Sequence, residues 1–272
     1  MLRRFCRNIV VVAGLWLCLL PGARAFDHDH GAFTTLLQPH VADGRVNYSG
    51  LVEQQAALDR YLDLLNSVST AEIDGWSRPQ QLAFWINAYN ALALDTVIAH
   101  YPLKRRGLMG FAFPSSSIRQ IADVWNLERR SIGGEPRSLD EIEHGIIRAT
   151  FKEPRIHFAL VCAAVSCPKL RPEAYRAEQL ETQLAEQVTE FLADANKGLA
   201  INTRRKRILV SSIFDWFQED FALPNDFSGE LAGSAAQAGV VYFISNATAR
   251  AALRSGEYRV GYLKYDWTLN EQ

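Results

Sequence analysis

The sequence predicts an α+β fold: a single domain of helices packed on a small, mainly antiparallel sheet, behind an N-terminal signal peptide. Three observations lead there. Helical patterns fill the first half of the chain, above all around Gln81–His100. Short apolar runs suited to strands come later, two of them as a hairpin about Arg204-Arg205-Lys206. Strands and helices do not alternate in the regular way that a parallel α/β sheet needs.

The N-terminus departs from the rest of the chain. Arg3, Arg4 and Arg7 precede an apolar run from Ile9 to Leu20, which Pro21-Gly22 breaks before Ala23-Arg24-Ala25. A charged start, a short apolar middle and an A-x-A end are the three parts of a secretory signal peptide. The reading divides the chain into a signal peptide at 1–25, a mature N-terminal segment at 26–45 and one domain at 46–270. It places the mature protein in the periplasm or outside the cell, with no membrane attachment once the signal is removed. Cleavage after Ala25 takes away four arginines and no acid, so the 29 basic and 30 acidic side chains become 25 and 30, a net charge of −5. That balance argues against nucleic acid as a partner. The partner expected instead is an unidentified small molecule or peptide.

Along the mature chain, Phe26–Gly31 reads as a loose polar start and Ala32–Leu37 as a short helix. Gly44–Gly50 reads as a turn with a short extended piece, and Leu51–Leu65 as an amphipathic helix. Ser77-Arg78-Pro79-Gln80 fits a capping box that opens the long helix Gln81–His100, stopped by Pro102. This helix is apolar nearly all round and is therefore expected at the centre of the core. Ser138–Glu141 is a second capping box, opening a helix through Ala149. Arg155–Cys162 reads as a buried strand, Ala163–Pro172 as a loop and Arg176–Ala193 as a helix. The hairpin pairs Leu199–Thr203 with Arg207–Ser211, a short aromatic helix spans Ser212–Phe221, and Val240–Ile244 and Tyr258–Lys264 read as late strands.

Several of these stretches carry distinctive residues: Phe84-Trp85-Ile86-Asn87-Ala88-Tyr89-Asn90-Ala91-Leu92, Ile142–Arg148, His157–Cys162, Ser166-Cys167-Pro168, Ile213–Phe217 and Tyr265–Asn270. Taken together and in this order, they resemble the domain-of-unknown-function family 547 from about Val46 to Asn270. The resemblance implies kinship with exported bacterial proteins and with domains of eukaryotic ones, but no reaction. It also implies that some relatives carry serine where Cys167 stands, so a bridge is not the general purpose of the motif.

Only Cys162 and Cys167 remain after signal removal, five positions apart and in a compartment where thiols oxidise. Pro168 pushes Cys167 away from helical geometry, and a loop between the two allows them to meet. One reading is a structural disulfide in a non-catalytic binding or interaction domain. A second makes Cys162 the nucleophile of an acyl-transfer or hydrolytic enzyme, with His144 as base and Glu143 or an asparagine as orienter. A third makes the pair itself a thiol–disulfide redox centre, although the spacing is not C-x-x-C.

Supporting roles fall to Asn87, Asn90, Arg148, His157, Ser166 and Cys167. Asn87 and Asn90 stand within an apolar helix, where a buried amide needs partners. His157 lies an odd number of residues before Cys162, which in a strand puts it on the opposite face. His28-x-His30 lies on a short tail and is not assigned a metal. Trp216 and Trp267 are assigned to core packing. Nucleotide-binding glycine loops, H-E-x-x-H and G-x-S-x-G are absent from the sequence, so no cofactor is expected.

Overall fold

A computed structural model describes residues 26–107, 109–222, 243–244 and 246–272. In chain order its elements are α1 (Gly31–Leu37), β1 (Val41–Ala42), β2 (Arg45–Val46), α2 (Tyr48–Glu53), α3 (Gln55–Ser67), α4 (Thr70–Asp74) and α5 (Arg78–Ile98). Then come β3 (Arg130–Ile132), β4 (Glu135–Arg137), a π-helix (Glu141–Arg148), α6 (Ala149–Phe151) and α7 (Leu180–Ala193). The described chain ends with β5 (Leu199–Asn202), β6 (Arg207–Val210), α8 (Ile213–Trp216), α9 (Ala247–Arg254) and β7 (Arg259–Tyr262). Helices mixed with small sheets are compatible with the α+β class.

The sheet is divided rather than single. β1–β2 and β3–β4 are separate antiparallel ribbons, while β5, β6 and β7 form a three-stranded sheet. Within that sheet β5 pairs antiparallel with β6, as the hairpin signal predicts, but β6 and β7 run parallel, Arg207 opposite Arg259.

α5 is the central element. Every residue from Leu82 to Ile98 is buried. Its start is the expected capping box: the Ser77 backbone N–H donates to Gln80 Oε1 at 3.0 Å, and Pro79 occupies the first turn. The buried Asp95 carboxylate is matched by Arg129 and Arg130 at 3.1 and 2.6 Å, which offsets the cost of taking its charge out of water.

Two apolar clusters share the molecule. The larger surrounds α5 and takes in α1, α3 and the residues before Cys162. The smaller joins Phe158, Phe191, Ile208, Phe214 and Phe221 around α7, β6 and α8. Tyr265 packs against both.

Four expectations need correction. Phe26–Gly31 is not loose: Phe26 stacks on Trp76 at 5.2 Å, and the buried His30 bonds the Tyr61 hydroxyl through Nδ1 at 2.7 Å. Arg155–Cys162 is not a strand. Pro154 and the Glu153 cap wind it into a 3-10 turn through Phe158. Side-chain amides then satisfy its backbone in place of a neighbouring strand: the Val161 N–H donates to Asn90 Oδ1 (2.9 Å), and Asn90 Nδ2 and Gln187 Nε2 donate to the Ala159 and Phe158 carbonyls (3.0 and 2.9 Å). The helix expected from Ser138 is π-wound over Glu141–Arg148, with Ser138 still capping the Glu141 N–H. Trp216 is 47% exposed, not a core residue. The expected strand Val240–Ile244 lies mostly outside the described residues.

Candidate functional site

The two clusters meet at a cavity of about 210 Å³. Besides Tyr89 of α5, Trp125 and His157, four stretches of the chain wall it. The π-helix and the residue before it bring Asp140, Glu143 and His144, and the segment after the 3-10 turn brings Leu160, Cys162 and Cys167. α8 and the residue after it bring Ile213, Trp216 and Phe217, and the C-terminal stretch brings Tyr265 and Trp267. Extended π-winding is rare, and short π turns occur often at functional sites.

The sulfurs of Cys162 and Cys167 stand 2.13 Å apart, at disulfide distance, with Cα atoms 6.2 Å apart, inside the range a bridge requires. Local backbone brings them together. Ala163 takes a left-handed φ of 60° directly after Cys162, and the Cys167 N–H donates to the Ala164 carbonyl at 3.0 Å. The C-terminal stretch holds this turn from outside: Asn270 N–H donates to the Ala163 carbonyl, Val165 N–H to the Thr268 carbonyl, and Asp266 N–H to Ser166 Oγ at 2.9 Å. The Cys162 N–H points at Cys167 Sγ (3.1 Å), and the Tyr265 hydroxyl lies 3.3 and 3.2 Å from the two sulfurs.

The same cavity carries a row of titratable groups. Burial pushes the Glu143 carboxyl up to about 7, against the opposing pull of the Tyr89 hydroxyl and Arg148. Its side chain is 14% exposed and reaches within 3.9 Å of His157 Nδ1. His157 lies flat on Phe217, centroids 3.9 Å apart, and donates from Nε2 to Asp220 Oδ2 at 2.6 Å. Arg148 grips the same Asp220 with Nε and with Nη2 at 3.0 Å. Burial alone would raise Asp220, but the His157 and Arg148 hydrogen bonds outweigh it and hold the carboxyl below the usual range. Arg148 Nη1 donates to His144 Nδ1 at 2.7 Å. A guanidinium has only hydrogens to offer, so Nδ1 is the lone-pair nitrogen of His144 and Nε2 carries its proton, 3.6 Å from Asp140. Burial lowers the pKa of both His144 and His157, so both rings favour the neutral form.

Of the residues singled out from the sequence, Cys162, Cys167, Glu143, His144 and His157 line one cavity. His157 gets there because its segment is not a strand, so odd spacing does not separate it from Cys162. Arg148 stands behind His144. Asn87, Asn90 and Ser166 are joints: Asn87 clamps Tyr175 by its N–H and carbonyl at 2.9 and 2.8 Å, and Asn90 and Ser166 hold the walls as described. Sequence reasoning missed Asp220, which centres the network, and the roles of Tyr89 and Tyr265. Phe217 and Asp220 stand three apart after the aromatic helix, a spacing that marks one helical face but names no partner.

Residues 73–192 match the family described as "Protein of unknown function, DUF547". The resemblance to DUF547 holds over that segment. It contains α5, the π-helix, the cysteine turn and most of α7. The DUF547 segment therefore supplies Glu143, His144, His157 and both cysteines, whereas Trp216, Phe217, Asp220, Tyr265 and Trp267 come from outside it. No curated protein and no solved structure matches the chain. Among the described residues, no cluster of three or more His, Cys, Asp or Glu is placed to hold a metal ion, and no helix is long and apolar enough to cross a membrane.

Proposed function

We propose that this is an exported binding protein whose cavity takes a small organic amine, with Cys162 and Cys167 closed as a disulfide in one wall. The observation that carries the reading is the pairing of aromatic walls with one half-buried acid. Trp216, Tyr265 and Trp267 are mutually packed, with centroids 4.6 to 5.9 Å apart, and offer ring faces to a flat or aliphatic body and to a cation. Desolvation disfavours the ionised Glu143 despite the Tyr89 hydroxyl and Arg148, and an ammonium group in the cavity would offset that penalty. Asp140 and Asp220 add negative charge nearby, against Arg148 alone.

Tryptophan fluorescence with 2-phenylethylamine and 2-phenylethanol tests this. The amine should bind more tightly, and its affinity should rise as pH passes upward through about 7 and Glu143 ionises. Glu143→Gln should flatten that pH dependence and weaken the amine by about tenfold, the size of one lost charge-assisted hydrogen bond. Equal binding of the two compounds would remove the charge from the reading. A signal indifferent to both would remove the cavity. Export has its own check: the mature chain should begin at Phe26 by intact mass.

A second reading, a thiol enzyme with Cys162 as nucleophile, draws on the shared cavity of Cys162 and His144. It needs the bridge reduced, and it needs Arg148 to release His144 Nδ1. Alkylation of the reduced protein across pH checks it: a Cys162 that reacts with an ordinary thiol pKa near 8.5 would sink it.

A further inference from the structure

We infer that the Cys162–Cys167 bridge is a thiol–disulfide exchange site, opened by a small aminothiol that attacks Cys162 and expels Cys167. The inference rests on the amine-binding reading of the cavity and names the substrate class for it.

The two sulfurs differ in access. Cys162 is half-buried against the cavity, whereas Cys167 is 1% exposed. An attacking sulfur must approach along the S–S axis from the side of the atom it joins, so access favours Cys162. They differ also in what each would gain as a thiolate. With the bridge closed neither sulfur bears a hydrogen, so the Tyr265 hydroxyl is the donor in both of its contacts. Cys167 Sγ receives that hydroxyl at 3.2 Å and the Cys162 backbone N–H at 3.1 Å. In addition, Lys197 Nζ bonds the Cys167 carbonyl at 2.9 Å, placing a cation beside the same residue. The Tyr265 hydroxyl serves the two sulfurs almost equally, at 3.3 and 3.2 Å, so the Cys162 N–H and the nearby cation are what favour Cys167 as the leaving thiolate, and the better leaving group decides which way a disulfide opens. Access and leaving-group stability thus select the same direction. Glu143 lines the same cavity, so a thiol carrying an ammonium group can place its charge there and its sulfur at Cys162.

The step balances without a metal or cofactor. The aminothiol enters as its thiolate, its proton released to solvent. A bond forms from its sulfur to Cys162 Sγ, the Cys162–Cys167 bond breaks, and the electron pair leaves on Cys167 Sγ. A second aminothiol then attacks the mixed disulfide at the substrate sulfur and releases Cys162 as a thiolate. In sum, two thiols are oxidised to one disulfide and the protein bridge is reduced to two thiols.

The test uses the whole mature protein with limiting cysteamine, 2-mercaptoethanol or 2-mercaptoethanesulfonate, quenched with N-ethylmaleimide and mapped by peptide mass. The expected product carries cysteamine on Cys162 and the maleimide on Cys167. Expressed per thiolate, cysteamine should react fastest and the sulfonate slowest. Tyr265→Phe keeps the ring but loses the donor, and should slow opening by about tenfold, the size of one hydrogen bond to a developing charge. Should that variant fail to fold, Cys167→Ser supplies the second arm with cystamine, the disulfide of cysteamine, as probe: the free Cys162 thiolate should attack it, release one cysteamine and retain the other as a stable mixed disulfide. Adducts on Cys167, or opening that rises with urea in step with global unfolding, would overturn the exchange site. Equal rates for the three thiols would overturn the aminothiol class. Binding of 2-phenylethylamine, which has no sulfur, is scored in parallel: if it binds and no adduct forms, the exchange fails while the binding reading stands.

Discussion

Two carboxyl groups near the cavity are pulled in opposite directions, with opposite consequences for stability. Burial raises Glu143 from an ordinary 4.5 to about 7, so the folded protein keeps a proton that the unfolded chain gives up. Stability from this group is full below about pH 4.5 and is lost as pH rises through 7, by about 3 kcal/mol at most. Glu143→Gln should therefore stabilise the protein at pH 8 and not at pH 4.5, read as a shift in urea midpoint. Asp220 behaves in the reverse sense. Its depressed pKa contributes stability above the ordinary aspartate range that is lost only in stronger acid. Asp220→Asn leaves His157 and Arg148 without their shared anion and should cost about 2 kcal/mol at pH 7 in urea unfolding. No loss would mean that the network contributes nothing to the fold.

At the scale of elements, α5 acts as a spine from which two amides reach out to irregular backbone. Asn90 closes on Ala159 and Val161, directly before Cys162, and Asn87 closes on Tyr175. Each replaces the ladder partner that a strand would have supplied. Truncation to alanine leaves a buried N–H and a buried carbonyl unpaired, so either variant should lose about 2–4 kcal/mol. The cavity separates them. Asn90→Ala frees the wall that carries Cys162 and should also weaken amine binding, whereas Asn87→Ala should lower stability with little change in binding. Fluorescence titration of both variants below their melting points checks this, and equal effects on binding would sink the assignment of Asn90 to the wall.

Over the whole molecule, the cavity exists because two apolar clusters meet there without merging. The C-terminal stretch closes the seam, with Tyr265 packed on both clusters and Leu269 bridged to Ala164. The disulfide sits at this junction and closes a short loop, so its chain-entropy contribution is modest, about 2 kcal/mol. Mild reduction should lower the urea midpoint accordingly without changing the slope, since the surface exposed on unfolding is the same. A larger loss, or a changed slope, would mean that the bridge holds the two clusters together.

Local pattern in the sequence determined a good deal. The all-round apolar face of α5, its capping box, the β5–β6 hairpin and the nearness of Cys162 to Cys167 follow from residues a few positions apart, where periodicity and turn chemistry act directly. The resemblance to DUF547 over residues 73–192 was legible too, in the order of distinctive motifs along the chain. Tertiary structure alone decided that the segment before Cys162 is bonded by side-chain amides rather than by a strand. It also decided that Asp220 meets His157 across 63 residues and that Tyr265 meets Cys162 across 103. The physical reason is that an apolar run specifies burial and not the partner for its backbone, and that a lone carboxylate or phenol has no periodicity to announce which distant group it will meet.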